Sequence, residues 1–202
     1  TEKAKIETVA EVAALLAFSA IKNNDRVGLI LFTDRIERFV PPKKGRSHVM
    51  RVVTEILNAD PQSEGTDLGV ALDLLGGIGK RRTVAFLISD YIADQNENSL
   101  RVVSAKHDLI PIQVVDPRED ELPDVGLALV EDLESGVLVE VDTSNLNVRA
   151  DYAREAQKQR ANREQLFRRL KLDHVTVSTD QDFVKPLTEL FRLRQRRLTG
   201  YR

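Results

Sequence analysis

The chain has 202 residues, 42% of them apolar and 31% charged, with 30 Lys and Arg against 32 Asp and Glu for a net charge of -2. A domain of that length buries roughly 70% of the surface its unfolded chain exposes, so a core is available without covalent staples. The lack of cysteine excludes disulfides, thiolate chemistry and cysteine-based zinc sites and makes a reducing compartment the natural setting. The small net charge gives no global steering onto nucleic acid, and no apolar run approaches the roughly 20 residues of a membrane-spanning helix.

From Lys3 to Asn23, apolar residues at Ile6, Val9, Ala13, Leu16, Ala17, Ala20 and Ile21 recur at three- and four-residue steps, and Asn23-Asn24-Asp25 supplies a stop, which predicts a core-facing helix. Arg26 to Phe32 is a branched apolar run too short for a helix, as expected of a strand covered on both faces. Ile36 to Val40 reads as a short strand ended by Pro41-Pro42. Val49, Val52, Val53, Ile56 and Leu57 predict a second helix, and Leu68 to Ile78 a third that stops among Gly76, Gly77 and Gly79. Thr83 to Asp90 is a buried strand ending in a carboxylate, Leu100 to His107 a helix, and Leu109 to Val115 another buried strand closed by Asp116-Pro117. Leu127 to Leu133 and Val137 to Val141 flank a hairpin signal at Glu134-Ser135-Gly136. A charged helix over Asp151 to Leu172, with a seam of Tyr152, Ala156, Leu166, Phe167 and Leu170, precedes a strand at His174 to Ser178 and a helix at Phe183 to Leu198. Alternating buried strands and helices predict one α/β domain over residues 1–202, with helices on both faces of the sheet. The chain begins at Thr1 without a methionine or a signal-peptide pattern, as expected of a processed or truncated chain.

In open α/β sheets the ligand crevice lies beyond the carboxyl ends of the strands. Asp90, delivered there by a rigid strand, is the first candidate; helix capping is its plainer alternative. Gly65-Thr66-Asp67-Leu68 is the second, a turn presenting a hydroxyl and a carboxylate at a helix start, with an ordinary N-cap as the alternative. A hydroxyl and a carboxylate are hard oxygen donors suited to Mg²⁺ or Mn²⁺, though two are too few for a whole site.

Other motifs fail on context. Gly76 to Arg81 lacks the Ser or Thr of a phosphate loop and ends a helix instead of starting one. His48, His107 and His174 have no metal-ligand spacing and read as exposed or capping residues. Asp142-Thr143-Ser144 reads as turn and N-cap chemistry. The arginines at 192, 194, 196, 197 and 202 could touch anionic lipid or RNA, against the default of a solvated helix end.

The ordered set Leu15 to Ala20, Asn24 to Phe32, Pro41 to Arg46, Gly65 to Leu68 and Leu87 to Asp90, with Asp132 to Gly136, Val141 to Thr143 and Phe191 to Arg194, resembles the MoxR-associated bacterial proteins of unknown function that contain a von Willebrand factor A-like domain. The resemblance covers essentially the whole chain. It implies a Rossmann-like, mostly parallel sheet with helices on both faces, and a cytoplasmic interaction module, not an enzyme. Its partners would be a MoxR-type AAA+ ATPase, in chaperone-like assembly or maturation of other proteins, and an acidic client protein. Nucleic acid would not be bound, and membrane contact would come only through regions outside this chain. It also implies a metal-ion-dependent adhesion site for Mg²⁺ or Mn²⁺, in which Thr66 matches the threonine and Asp90 the later aspartate. A carboxylate of the protein ligand would complete the shell.

The chain departs from that pattern because it contains no Asp-x-Ser-x-Ser loop and begins at the helix that should follow it. The first, central strand is therefore expected upstream of Thr1, and this fragment is expected to bind metal weakly or not at all. In the family fold that strand lies between Val27 to Phe32 and Val84 to Ile88, so these two must either pair directly or leave a gap for something else. Two alternatives stand beside this reading: a Mg²⁺-dependent hydrolase or phosphoryl-transfer enzyme using Asp90 with Asp67, Asp94 or Asp116, and a metal-free scaffold that binds a partner. An enzyme would lack an obvious acid or electrophile, because no histidine lies near the rim and no phosphate loop is present.

Overall fold

The computed structural model describes residues 2–63, 65–78, 81–92, 96–131 and 138–199. In chain order the elements are α1 (Glu2–Lys22), β1 (Val27–Phe32), β2 (Ile36–Lys43), α2 (Arg46–Leu57), α3 (Leu68–Gly77), β3 (Val84–Ser89), α4 (Glu97–Lys106), β4 (Asp108–Val115), β5 (Leu127–Glu131), β6 (Leu138–Asp142), α5 (Leu146–Arg169), β7 (Val175–Ser178) and α6 (Val184–Thr199), with a 3-10 turn at Pro117–Glu119. The strands form a parallel sheet in the order β3-β4-β7, an antiparallel pair β1-β2 and a hairpin β5-β6. The turn expected at Glu134-Ser135-Gly136 lies outside the described residues.

The parallel sheet is covered on both sides, as the continuous apolar runs predict. Strand β4 sorts its side chains by the period-2 rule: Ile110, Ile112 and Val114 join Val12 of α1 and Leu187 and Leu190 of α6, together with Val175 and Val177 of β7. Leu109 faces the other way, into Leu68 and Leu72 of α3, Leu100 and Val103 of α4, and Leu166 and Phe167 of α5. A smaller cluster of Ala17, Val49 and Val53 joins α1 to α2 beneath the start of β1.

The expected end of the second strand at Pro41 is corrected. Strand β2 runs through both prolines to Lys43, pairing Leu29 with Val40 and Val27 with Lys43. It bonds to β1 on one side only, and an edge strand tolerates residues without an N–H. Gly28 makes room for the passage, since a Cβ there would stand 2.9 Å from Cγ of Pro42 and 3.0 Å from the carbonyl oxygen of Val40.

Strands β1 and β3 do not pair. Between them lies a cavity of about 1230 Å³ bordered by every residue of both strands, with Val9, Ala13 and Leu16 of α1 and Leu72 and Leu75 of α3 among its apolar walls. Among the described residues each strand is hydrogen-bonded to one neighbour, so each turns an edge without a described partner strand toward this space. Their carboxyl ends lie at the same place, the N-terminus of α3. The carbonyl of Thr33, just after β1, accepts from the Asp67 N–H at 3.0 Å, and a Cβ on Gly69 would come within 2.7 Å of the amide nitrogen of Asn96, which begins α4 soon after β3. The two strands therefore run in the same direction across the gap.

Candidate functional site

Asp90 follows the last residue of β3, and the chain turns sharply after it. Tyr91 takes a left-handed backbone (φ 58°), an uncommon conformation for a bulky residue, and is held there from several sides. Its N–H donates to Oγ of Ser89 at 3.1 Å, its hydroxyl donates to the Leu87 carbonyl at 2.8 Å, and its ring packs edge-on to Phe167 with centroids 5.2 Å apart. Burial drives the Tyr91 hydroxyl pKa well above its ordinary value, so it stays a neutral donor. This turn leaves Asp90 at the rim. Capping does not account for Asp90, because the cap of α4 is Asn96, whose side chain accepts from the Ser99 N–H.

Both oxygens of Asp90 are engaged. Oδ1 accepts from the Ile92 N–H at 3.3 Å and Oδ2 from Nζ of Lys5 at 3.1 Å. The Lys5 ammonium also meets Oε2 of Glu119 at 2.7 Å and has only 13% of its side chain exposed. Burial pulls the Lys5 pKa down, but its bonds and charge contacts with Glu119 and Asp90 outweigh that and leave it raised. Around this pair, Arg163 of α5 lies buried against Gln113; with the Gln113 amide oxygen turned toward it, Nη2 and Nε donate at 3.0 and 3.1 Å. Burial, then the neighbouring Arg160, lowers the Arg163 pKa, while Asp90 and Asp120 act against that. Arg160 in turn pairs with Asp120, and the Tyr152 hydroxyl donates to the Glu119 carbonyl at 3.0 Å.

Thr66 is exposed at the mouth of the β1–β3 cavity, which Asp90, Lys5 and Thr33 also border. The structure thus places both predicted metal residues at one cavity. Asp67 is the N-cap of α3, its Oδ1 accepting from the Gly69 N–H at 2.7 Å. Asp116 is buried and accepts from Arg118 through the backbone N–H, Nε and Nη2, which holds its carboxyl down at about 2. Both carboxylates serve local structure, Asp67 through one oxygen and Asp116 through both; Asp94 lies outside the described residues. Thr66 and Asp90 fit as part of a hard-oxygen shell but do not make one alone, and among the described residues no group of three or more His, Asp or Glu is arranged to hold a metal ion.

The remaining motifs resolve simply. Thr143 is buried, its hydroxyl donating to the Gly126 carbonyl at 2.6 Å and accepting from the Val125 N–H, while Asn145 caps α5, as the turn reading of that segment predicts. His107 is the C-cap residue of α4, its N–H donating to the Val103 carbonyl, and its ring is buried with no bond to either nitrogen among the described residues; His48 bonds the Val27 carbonyl oxygen at 2.9 Å through Nε2. Two tail arginines are structural, Arg194 bridging Asp108 and Asp173 and Arg197 pairing with Asp173. Lys5, Glu119 and Arg163 carried no signal in the sequence, because their roles depend on which distant elements, α1, the turn after β4 and α5, meet at the rim.

The chain is 31% identical over 196 residues to the uncharacterized protein Rv1480 of Mycobacterium tuberculosis strain H37Rv and to Mb1516 of Mycobacterium bovis, covering 95% of this chain and 61% of each relative. It therefore spans about three fifths of the length of these curated relatives. It is also 31% identical over 160 residues to the uncharacterized protein MAV169 of Mycobacterium avium, which covers 78% of this chain and 94% of that protein. Among solved structures it is similar in fold to the conserved hypothetical protein BatB from Bacteroides thetaiotaomicron, with a TM-score of 0.54 and 15% identity over 94% of this chain and 87% of that one. No helix among the described residues is long and apolar enough to cross a membrane. The model of the family described as protein of unknown function DUF58 matches residues 1–162, and the chain belongs to that family.

Proposed function

We propose that this chain is the larger part of a von Willebrand factor A-like partner-binding module, whose divalent-cation site is built on Thr66 and Asp90 and completed by a strand seated between β1 and β3. The observation that carries this reading is the position of both residues at the mouth of one cavity, at the shared carboxyl ends of two strands with unpaired facing edges. A strand in that cavity would satisfy the backbone groups of both edges and add its apolar side chains to the walls offered by α1 and α3. Running parallel to its neighbours, it would end beside Thr66 and Asp90 and bring further oxygen donors there. A bound Mg²⁺ or Mn²⁺ would attract a carboxylate of an acidic client protein. From the family resemblance we also propose a MoxR-type AAA+ ATPase as partner, in cytoplasmic assembly or maturation of other proteins, with no catalysis by this domain.

Asp90→Ala in the full-length protein separates the readings. We expect it to abolish Mn²⁺ binding and binding to the ATPase–client assembly, with no hydrolytic rate to lose on either protein. Loss of a measurable phosphoester hydrolysis rate would favour the enzyme instead, and unchanged Mn²⁺ and partner binding would leave a metal-free scaffold.

A further inference from the structure

We propose that Lys5 is a built-in counter-cation of the candidate site: its ammonium and a divalent ion exclude one another at Asp90, so that cation binding must release the first turn of α1 from the rim. The inference rests on the proposed cation site and adds a competitor within the chain. Three observations carry it. Lys5 Nζ lies 3.1 Å from Oδ2 of Asp90, the oxygen that does not serve the Asp90–Ile92 turn and is therefore the one available to a cation. The same ammonium is anchored 2.7 Å from Glu119, in the turn after β4, so α1 is tied to the ends of two neighbouring strands. The Lys5 side chain is mostly buried and borders the same cavity as Thr66.

A divalent ion and an ammonium on one carboxylate repel strongly, so one must leave. Lys5 has four carbons of reach and can move to solvent, whereas Asp90 is fixed by the strained Tyr91 turn. By linkage, an ion that displaces Lys5 must expose it, and removing Lys5 must favour the ion by the same factor.

The test uses the full-length protein, with Mn²⁺ as the probe. We expect Lys5→Met to tighten Mn²⁺ binding about tenfold, which corresponds to about 1.4 kcal/mol, and Lys5→Arg, which keeps the charge, to stay near wild type. On the wild type, saturating Mn²⁺ is expected to raise the acetylation rate of Lys5, read by mass spectrometry, several-fold; this arm does not depend on a variant folding. Mn²⁺ affinity unchanged in Lys5→Met but abolished in Asp90→Asn would overturn the counter-cation role and leave the site standing. No Mn²⁺ binding by any form would overturn both. A Lys5 acetylation rate indifferent to Mn²⁺ in a wild type that binds it would also sink the proposal.

Discussion

At the scale of single residues, carboxylates that look alike in the sequence differ in what surrounds them. Asp67 caps α3 through one oxygen, which accepts from the Gly69 N–H, and Asp116 gives both oxygens to the backbone N–H and guanidinium of Arg118. Asp90 holds one local bond, and its second oxygen accepts from Lys5 in the first turn of α1. The Asp116 arrangement has a pH signature. Its carboxyl is held at about 2 against an ordinary 3.8, so the folded state takes up a proton later than the unfolded state as the pH falls. Its contribution to stability is present above about pH 4 and is lost as the pH falls toward 2. Asp116→Asn is therefore expected to lower stability at neutral pH and to flatten the acid limb of the stability curve between those values, measured by urea unfolding across pH. A variant with the wild-type acid slope would contradict the assignment.

At the scale of elements, periodicity located the helices and strands because each buries a stripe or a face of fixed period. It put the end of β2 too early at Pro41, since the rule that proline breaks a ladder holds for central strands and the sequence does not show which strand is at an edge. It offered Asp90 at the rim with helix capping as the alternative, and the cap of α4 is Asn96 instead. It could not show Tyr91 as a buried strut, nor Lys5 and Arg163 beside Asp90, since α1 and α5, far from Asp90 in sequence, supply those side chains. The β1–β2 pair carries its own prediction. Gly28→Val places side-chain atoms against Pro42 and Val40 and is expected to destabilise the fold by about 1–3 kcal/mol in urea unfolding. Wild-type stability in that variant would mean that β2 does not pass over Gly28 as described.

At the scale of the whole molecule, the dominant feature is a sheet in two pieces. The parallel strands β3, β4 and β7 have a complete core on both faces, while β1 and β2 stand across a gap with no backbone pairing to β3. The alternation of strands and helices made the α/β class legible, and the absent Asp-x-Ser-x-Ser loop made the gap a possibility. Its resolution, a cavity rather than direct β1–β3 pairing, depends on α1, α2 and α3 holding the two pieces apart, which no local pattern records.

The most direct test of the cation site is a calorimetric Mn²⁺ titration of this 202-residue chain beside a chain extended upstream by one strand and its loop, roughly 20 residues. Binding by the longer chain only, abolished by Thr66→Ala or Asp90→Ala, is the predicted result. Equal binding by both chains, or by neither, would contradict a cation site that a strand between β1 and β3 must complete.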